Sequence, residues 1–173
     1  MRILTIIYEF PPIGGGGGRA AYDICKELAA RGNDVTVLTA HMQGLPLEEK
    51  RDDIRLVRIP SLRTQAFGAT FPTMLTYVLV GLWTGLRLIY VYRPEIIHTH
   101  FAVPSGALAW ALSILTGLPY ILTAHLGDVP GGVPALPGHE GSGDPPGRLP
   151  PFPRGGCGHQ RLHRRLPGRV HER

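Results

Sequence analysis

Five consecutive glycines, Gly14 to Gly18, separate an apolar run at residues 2–8 from an amphipathic segment at residues 19–31. The run does not alternate with polar residues, as expected for a strand buried on both faces of a parallel sheet. In the amphipathic segment Ala21, Ile24, Cys25 and Leu28 recur at helical spacing, with Asp23, Lys26 and Glu27 on the other side. Gly32 marks the helix stop. Strand, glycine turn and helix open an alternating series. Further strands are expected at Val35–Thr39, at Ile54–Ile59, from Pro94 to His100, and at Tyr120–Ala124. Such alternation predicts a Rossmann-like three-layer α/β/α fold. Its parallel sheet has order 3-2-1-4-5, set by right-handed crossovers. The charged stretch Glu48 to Asp53 reads as a solvated loop.

Two stretches carry no charge, Phe71–Leu86 for 16 residues and Phe101–Leu122 for 22. A membrane span needs about 20 apolar residues, so the second qualifies on length. Pro104 and the Gly117-Leu118-Pro119 turn divide it into a helix and a following strand. Thr73, Thr76 and Thr84 dilute the first, and neither has a one-sided basic flank. Both are expected to be buried crossover helices, which leaves a peripheral membrane contact open.

Charge is unevenly placed. Residues 1–133 hold 11 Lys+Arg and 10 Asp+Glu, whereas residues 134–173 hold 7 Arg and 3 acids. The basic excess belongs to the last 40 residues, so it does not argue for a nucleic-acid partner. Those 40 residues contain 8 Pro and 8 Gly and no Ile, Tyr or Trp. The expectation is a domain over 1–133 followed by a Pro/Gly/Arg-rich tail, either disordered or the product of a frameshift. Cys25 and Cys157 stand in unlike surroundings and are too few for a disulfide scaffold or a four-thiolate zinc site. The N-terminus begins in a strand without a cleavage signal, so a cytoplasmic location is expected.

The glycine run invites a phosphate-loop reading, because glycine lets backbone N–H groups approach a ligand ahead of a helix N-terminus. A Walker A ending fails, since Gly18 is followed by Arg19-Ala20. A dinucleotide fingerprint is met in form by Gly15, Gly17 and Ala20. However, the second strand ends in Thr39-Ala40-His41 without the acid that holds ribose. A sugar-phosphate ligand at the loop and a plain tight turn remain the two readings. His98 and His100 share one strand face at its carboxyl end, and His125 ends the next strand with Gly127-Asp128 beyond. Zinc, a backbone-satisfied imidazole and a contact to a hydroxylated ligand are the alternatives there, the last preferred for His125. No nucleophile elbow and no carboxylate pair points to a hydrolase.

Several segments together resemble the N-terminal, acceptor-side domain of family 4-type glycosyltransferases of the GT-B fold. They are Tyr8-Glu9-Phe10-Pro11-Pro12, the loop Gly14 to Gly18, Leu28 through Val37, Arg93 through His100, and Leu118-Pro119-Tyr120 leading to Thr123-Ala124-His125 and Gly127-Asp128. Asn33-Asp34 stands where Gly-His is common, and Glu95 where Asp is usual. The resemblance implies a retaining transfer of a hexosyl group from a nucleotide-sugar to a carbohydrate or lipid-linked acceptor. It implies no cofactor beyond that co-substrate and no metal. It places His125 as the catalytic-site contact to the transferred sugar. It places Gly14, Gly15, Gly16, Gly17 and Gly18 by the donor phosphate and the acceptor, while His98, His100 and Asp128 are candidate substrate contacts by their place at the strand ends. The donor nucleotide is held by a second, C-terminal half through a basic residue and two glutamates eight apart. Residues 134–173 hold only Glu140, Asp144 and Glu172, so the chain reads as half an enzyme, inactive alone. A stand-alone module that binds a sugar or phosphate ligand without turnover is the alternative.

Overall fold

The computed structural model describes residues 1–62, 70–125 and 128. The expectations for Gly127, Cys157 and the 134–173 tail lie outside those residues. The described elements are β1 (Arg2–Ile6), α1 (Gly16–Ala30), β2 (Asp34–Ala40), β3 (Glu48–Arg51), β4 (Ile54–Ile59), α2 (Phe71–Tyr92), β5 (Ile96–His100), α3 (Ala107–Thr116) and β6 (Tyr120–Thr123). A kinked turn, Ala102–Gly106, with Val103 in extended backbone, leads into α3.

The sheet has the order β3-β4-β2-β1-β5-β6. The five expected strands stand in the expected order and are all parallel. β1 lies between β2 and β5, with Leu4 opposite Thr36 on one side and Ile97 on the other. Side-chain alternation then splits the core into two layers. Leu4, Ile6, Leu38 and Ile97 pack beneath α2 and α3 with Tyr77, Leu108 and Leu112. Ile7, Val35, Val37 and Leu56 pack beneath α1 with Ala21 and Cys25. Burial pushes the Cys25 thiol up to about 11, so it stays protonated and donates to Thr5 Oγ1. α1 and α3 end in left-handed glycines just beyond them, Gly32 and Gly117, as their sequence predicts.

Three expectations are corrected. The charge run at Glu48–Asp53 is not a solvated loop. Glu48–Arg51 form β3, which pairs antiparallel with β4 at the sheet edge, so the sheet is mixed. The physical reason is Arg58, whose side chain is 1% exposed on β4 and needs a counter-charge. Its guanidinium donates to Glu49 Oε2 at 2.7 Å and to the Pro46 carbonyl at 2.8 Å. That pairing, chiefly the Arg58 hydrogen bond, holds the Glu49 carboxyl below the usual carboxylate range. Second, α1 starts at Gly16, so the last three glycines of the run are helical. Third, α2 is not a buried crossover helix. It extends to Tyr92, and only Tyr77, Gly81, Gly85 and Leu88 are buried along it.

The edge strand supplies a test. Glu49→Ala leaves a buried guanidinium without its carboxylate and should cost roughly 2–4 kcal/mol of unfolding free energy. Glu48→Ala, on the exposed side of the same strand, should stay within about 0.5 kcal/mol. Urea midpoints of the two variants measure the difference, and equal values would detach β3 from Arg58.

Candidate functional site

Four segments meet at the carboxyl edge of the sheet: the β1–α1 connection, the end of β5, the turn after it and the end of β6. The β1–α1 connection is anchored by the Tyr8 N–H, which donates to Ser105 Oγ at 2.8 Å. The five glycines are there for different reasons. Gly14 has φ +88°, and a Cβ on it would lie 2.5 Å from Glu9 Cβ. A Cβ on Gly18 would lie 2.6 Å from the Glu9 carbonyl oxygen, and one on Gly17 would lie 2.4 Å from Phe101 Cζ. Those three are required by close packing within the protein. Gly15 and Gly16 are not, for a Cβ on either meets nothing within 4 Å.

Those two residues form the head of α1. Gly15 is its N-cap, no side chain caps the helix, and its first turn has no acidic residue. The first backbone N–H groups of a helix have no partner within it and carry the positive end of its dipole. The Gly14 to Gly18 loop thus combines packing glycines with an open, anion-favouring edge. Through Gly17 that edge abuts Phe101 and the His125 ring, the latter 3.4 Å from the added Cβ.

The three histidines form a chain of rings. His98 Nε2 bonds Thr123 Oγ1 at 2.9 Å, and its ring centroid lies 4.3 Å from that of His100. His100 Nδ1 lies 3.1 Å from His125 Nε2. His125 in turn lies over Phe101, with centroids 4.5 Å apart. Burial, then the neighbouring His98 and His125, press the His100 pKa down to about 3. Burial and His125 lower that of His98 as well. Both rings are therefore neutral near pH 7, and the tautomers follow from the geometry. His100 Nε2 is buried without a hydrogen-bond partner. A buried orphan N–H is costlier than an orphan lone pair, so the His100 proton sits on Nδ1 and is donated to His125 Nε2. With its Nε2 accepting that hydrogen bond, His125 carries a proton on Nδ1, as a donor.

Asp128 has a different place from the histidines. Its carboxylate accepts the His125 N–H at 2.9 Å and the Ala102 N–H at 3.0 Å, while its own N–H donates to the His125 carbonyl. It fixes the His125 backbone against the turn after β5. His98, alone of the named residues, also lines an apolar groove with Ile3, Ile24, Leu28, Ile96 and Ile121. Among the described residues no three His, Cys, Asp or Glu side chains are placed to hold a metal ion.

Sequence reasoning passed over Phe101. Its φ of +69° is left-handed, a strained state for a bulky residue, and sets its ring between Gly17 and His125. A cavity of about 120 Å³ opens beside it, lined by Tyr8, Glu9, Met74, Phe101, Val103 and Pro104. A lone Phe after a strand carries no sequence signal for either feature.

The sequence profile of the glycosyl transferase 4-like domain matches residues 15–169. The glycogen synthase of Mycobacterium tuberculosis (strain CDC 1551 / Oshkosh) is 30% identical over 142 residues, covering 72% of this chain and 33% of that one. The chain thus spans 33% of that relative's length. Sucrose-phosphate synthase from Thermosynechococcus elongatus superposes with a TM-score of 0.60 at 20% identity, over 72% of this chain and 33% of that one. The Streptomyces sp. SF2575 glycosyltransferase SsfS6, complexed with thymidine diphosphate, gives 0.51 at 16% identity over 72% and 38%. The two solved structures establish the fold, and the profile match establishes the family. The chain belongs to the glycosyl transferase 4-like family, and its sheet is a Rossmann-like domain of the GT-B fold.

Proposed function

We propose that this chain is the acceptor-side half of a retaining glycosyltransferase, which moves a hexosyl group from a nucleotide-sugar to an acceptor hydroxyl. The observation that carries the reading is the pair Gly15 and Gly16. Protein packing does not require glycine there, and both stand at the uncapped head of α1 beside His125. Bare backbone at a helix N-terminus suits a diphosphate. In the transfer, the anomeric carbon exchanges its bond to the diphosphate oxygen for one to the acceptor oxygen. The diphosphate leaves with the bonding electrons, and the acceptor hydroxyl passes its proton to the departing diphosphate oxygen. Negative charge grows on the diphosphate, and the α1 head stabilises it there. The His125 Nδ1–H donates to a sugar hydroxyl and holds the ring in place. The relatives support the co-substrate, since SsfS6 is described with thymidine diphosphate bound.

The second wall of the cleft belongs to a donor-binding half. Aligning donor and acceptor supplies much of the rate of a two-substrate transfer. The 173-residue chain alone is therefore expected to show no measurable sugar transfer from a panel of nucleotide-hexoses. Robust turnover by that chain would overturn the half-enzyme reading.

Fusion of a relative's donor-binding half after residue 133 makes the site testable. In that protein His125→Ala should lower turnover by roughly 1–3 kcal/mol, about 5- to 150-fold, with the fold intact. Gly16→Val should weaken donor binding without loss of stability, because its side chain enters open space. If His125→Ala unfolds the domain while activity per folded molecule is unchanged, His125 is a core residue and the reading fails.

The histidine chain also predicts a pH dependence. His98 and His100 have folded pKa values below the ordinary 6.5, so the unfolded chain binds more protons as pH falls through that value. Their contribution to stability is present above about pH 6.5 and is lost progressively below it, for His100 down to about 3. At pH 5, His100 alone should cost about 2 kcal/mol relative to pH 7.5. Urea midpoints at the two pH values check this, and His100→Gln should flatten the difference.

A further inference from the structure

α2 is apolar on both sides. Its inner side meets the sheet and α3 through Tyr77, Gly81, Gly85 and Leu88. At 100° per residue, Leu75, Leu79, Trp83 and Tyr90 fall within roughly 80° of one another on the opposite side. They are far from buried: Trp83 is 76% exposed and Tyr90 81%. α3 lies beside α2 on the same face of the sheet and repeats the pattern, with Trp110 and Ile114 turned outward at 57% and 63% exposure. A helix on a protein surface ordinarily shows polar residues to water, and a contiguous apolar face marks an interaction site.

Charge identifies the occupant. No acidic residue occurs between Asp53 and Glu95, and α3 carries no charge at all. Arg87 flanks the apolar stripe of α2, Arg93 follows its last turn, and both are exposed. Neither enters an ion pair among the described residues. A second copy laid on this face would set arginine towards arginine with no acid to meet it. An anionic lipid surface supplies the missing counter-charge. Tryptophan and tyrosine, apolar in body with a polar tip, suit the headgroup level.

We propose that the outer face of α2 and α3 is a membrane-docking surface, lying flat in the headgroup region of an anionic bilayer. Trp83, Tyr90 and Trp110 enter the interface, and Arg87 and Arg93 meet lipid phosphates. α2 does not cross the bilayer in this arrangement, because its inner residues belong to the protein core. The proposal rests on this face alone and is independent of the sugar-transfer reading.

The chain contains two tryptophans, Trp83 and Trp110, and both lie on this face, so intrinsic fluorescence reports on it directly. The 173-residue chain is titrated with phosphatidylcholine vesicles, with and without phosphatidylglycerol. Expected are a blue shift, quenching by brominated lipid chains, and tighter, salt-sensitive binding to the anionic vesicles. Leu75→Gln/Leu79→Gln keeps both tryptophans and should weaken partitioning roughly tenfold or more. Arg87→Gln should weaken it roughly fivefold on anionic vesicles and leave neutral ones unaffected. Circular dichroism confirms that each variant keeps its helices. No blue shift with anionic vesicles would overturn the proposal. So would light scattering that shows a vesicle-free dimer which Leu75→Gln/Leu79→Gln dissociates, since the face would then belong to a second copy.

Discussion

The contact of Gly17 with Phe101 and His125 is the point on which the site depends. A single methyl group at residue 17 would overlap the Phe101 ring at 2.4 Å. Glycine at this position leaves room for the Phe101 ring beside the head of α1. This edge brings an uncapped helix terminus, a chain of imidazole rings and an open stretch of backbone to one place. Parallel strands supply the frame, because β1, β5 and β6 all deliver their carboxyl ends to the same edge.

Electrostatics at this edge is arranged by burial more than by charge. His98 and His100 are held neutral by desolvation, so their rings lie against one another without charge repulsion. The two carboxylate oxygens of Asp128 are taken by backbone N–H groups, which fixes the turn that carries His125. The positive character left over belongs to the α1 head, which suits an anionic leaving group.

The frame was legible in the sequence because its signals are local. Apolar runs, helical spacing and the glycine stops at Gly32 and Gly117 each act within a few residues, and the order of the five parallel strands followed from crossover handedness. The family resemblance and the strand ends pointed to the glycine loop and to His125, which the structure brings to one edge. What escaped depends on distant partners. β3 is a run of charges until Arg58, buried on the next strand, claims Glu49. The ring of Phe101 takes the space left by Gly17, 84 positions away in the chain. The exposed side of α2 has no signal of its own, since a helix apolar all round looks buried when only its sequence is seen.

In the proposed transfer the ligand touches the protein where Gly15 and Gly16 leave the backbone bare beside His125. A crystal structure of the fused two-half enzyme with a nucleotide-hexose should show a phosphate oxygen at about 2.7–3.2 Å from a backbone nitrogen of Gly15 or Gly16, and a sugar hydroxyl at a similar distance from His125 Nδ1. A donor seated elsewhere in the cleft, with Gly15, Gly16 and His125 facing only water, would refute the assignment.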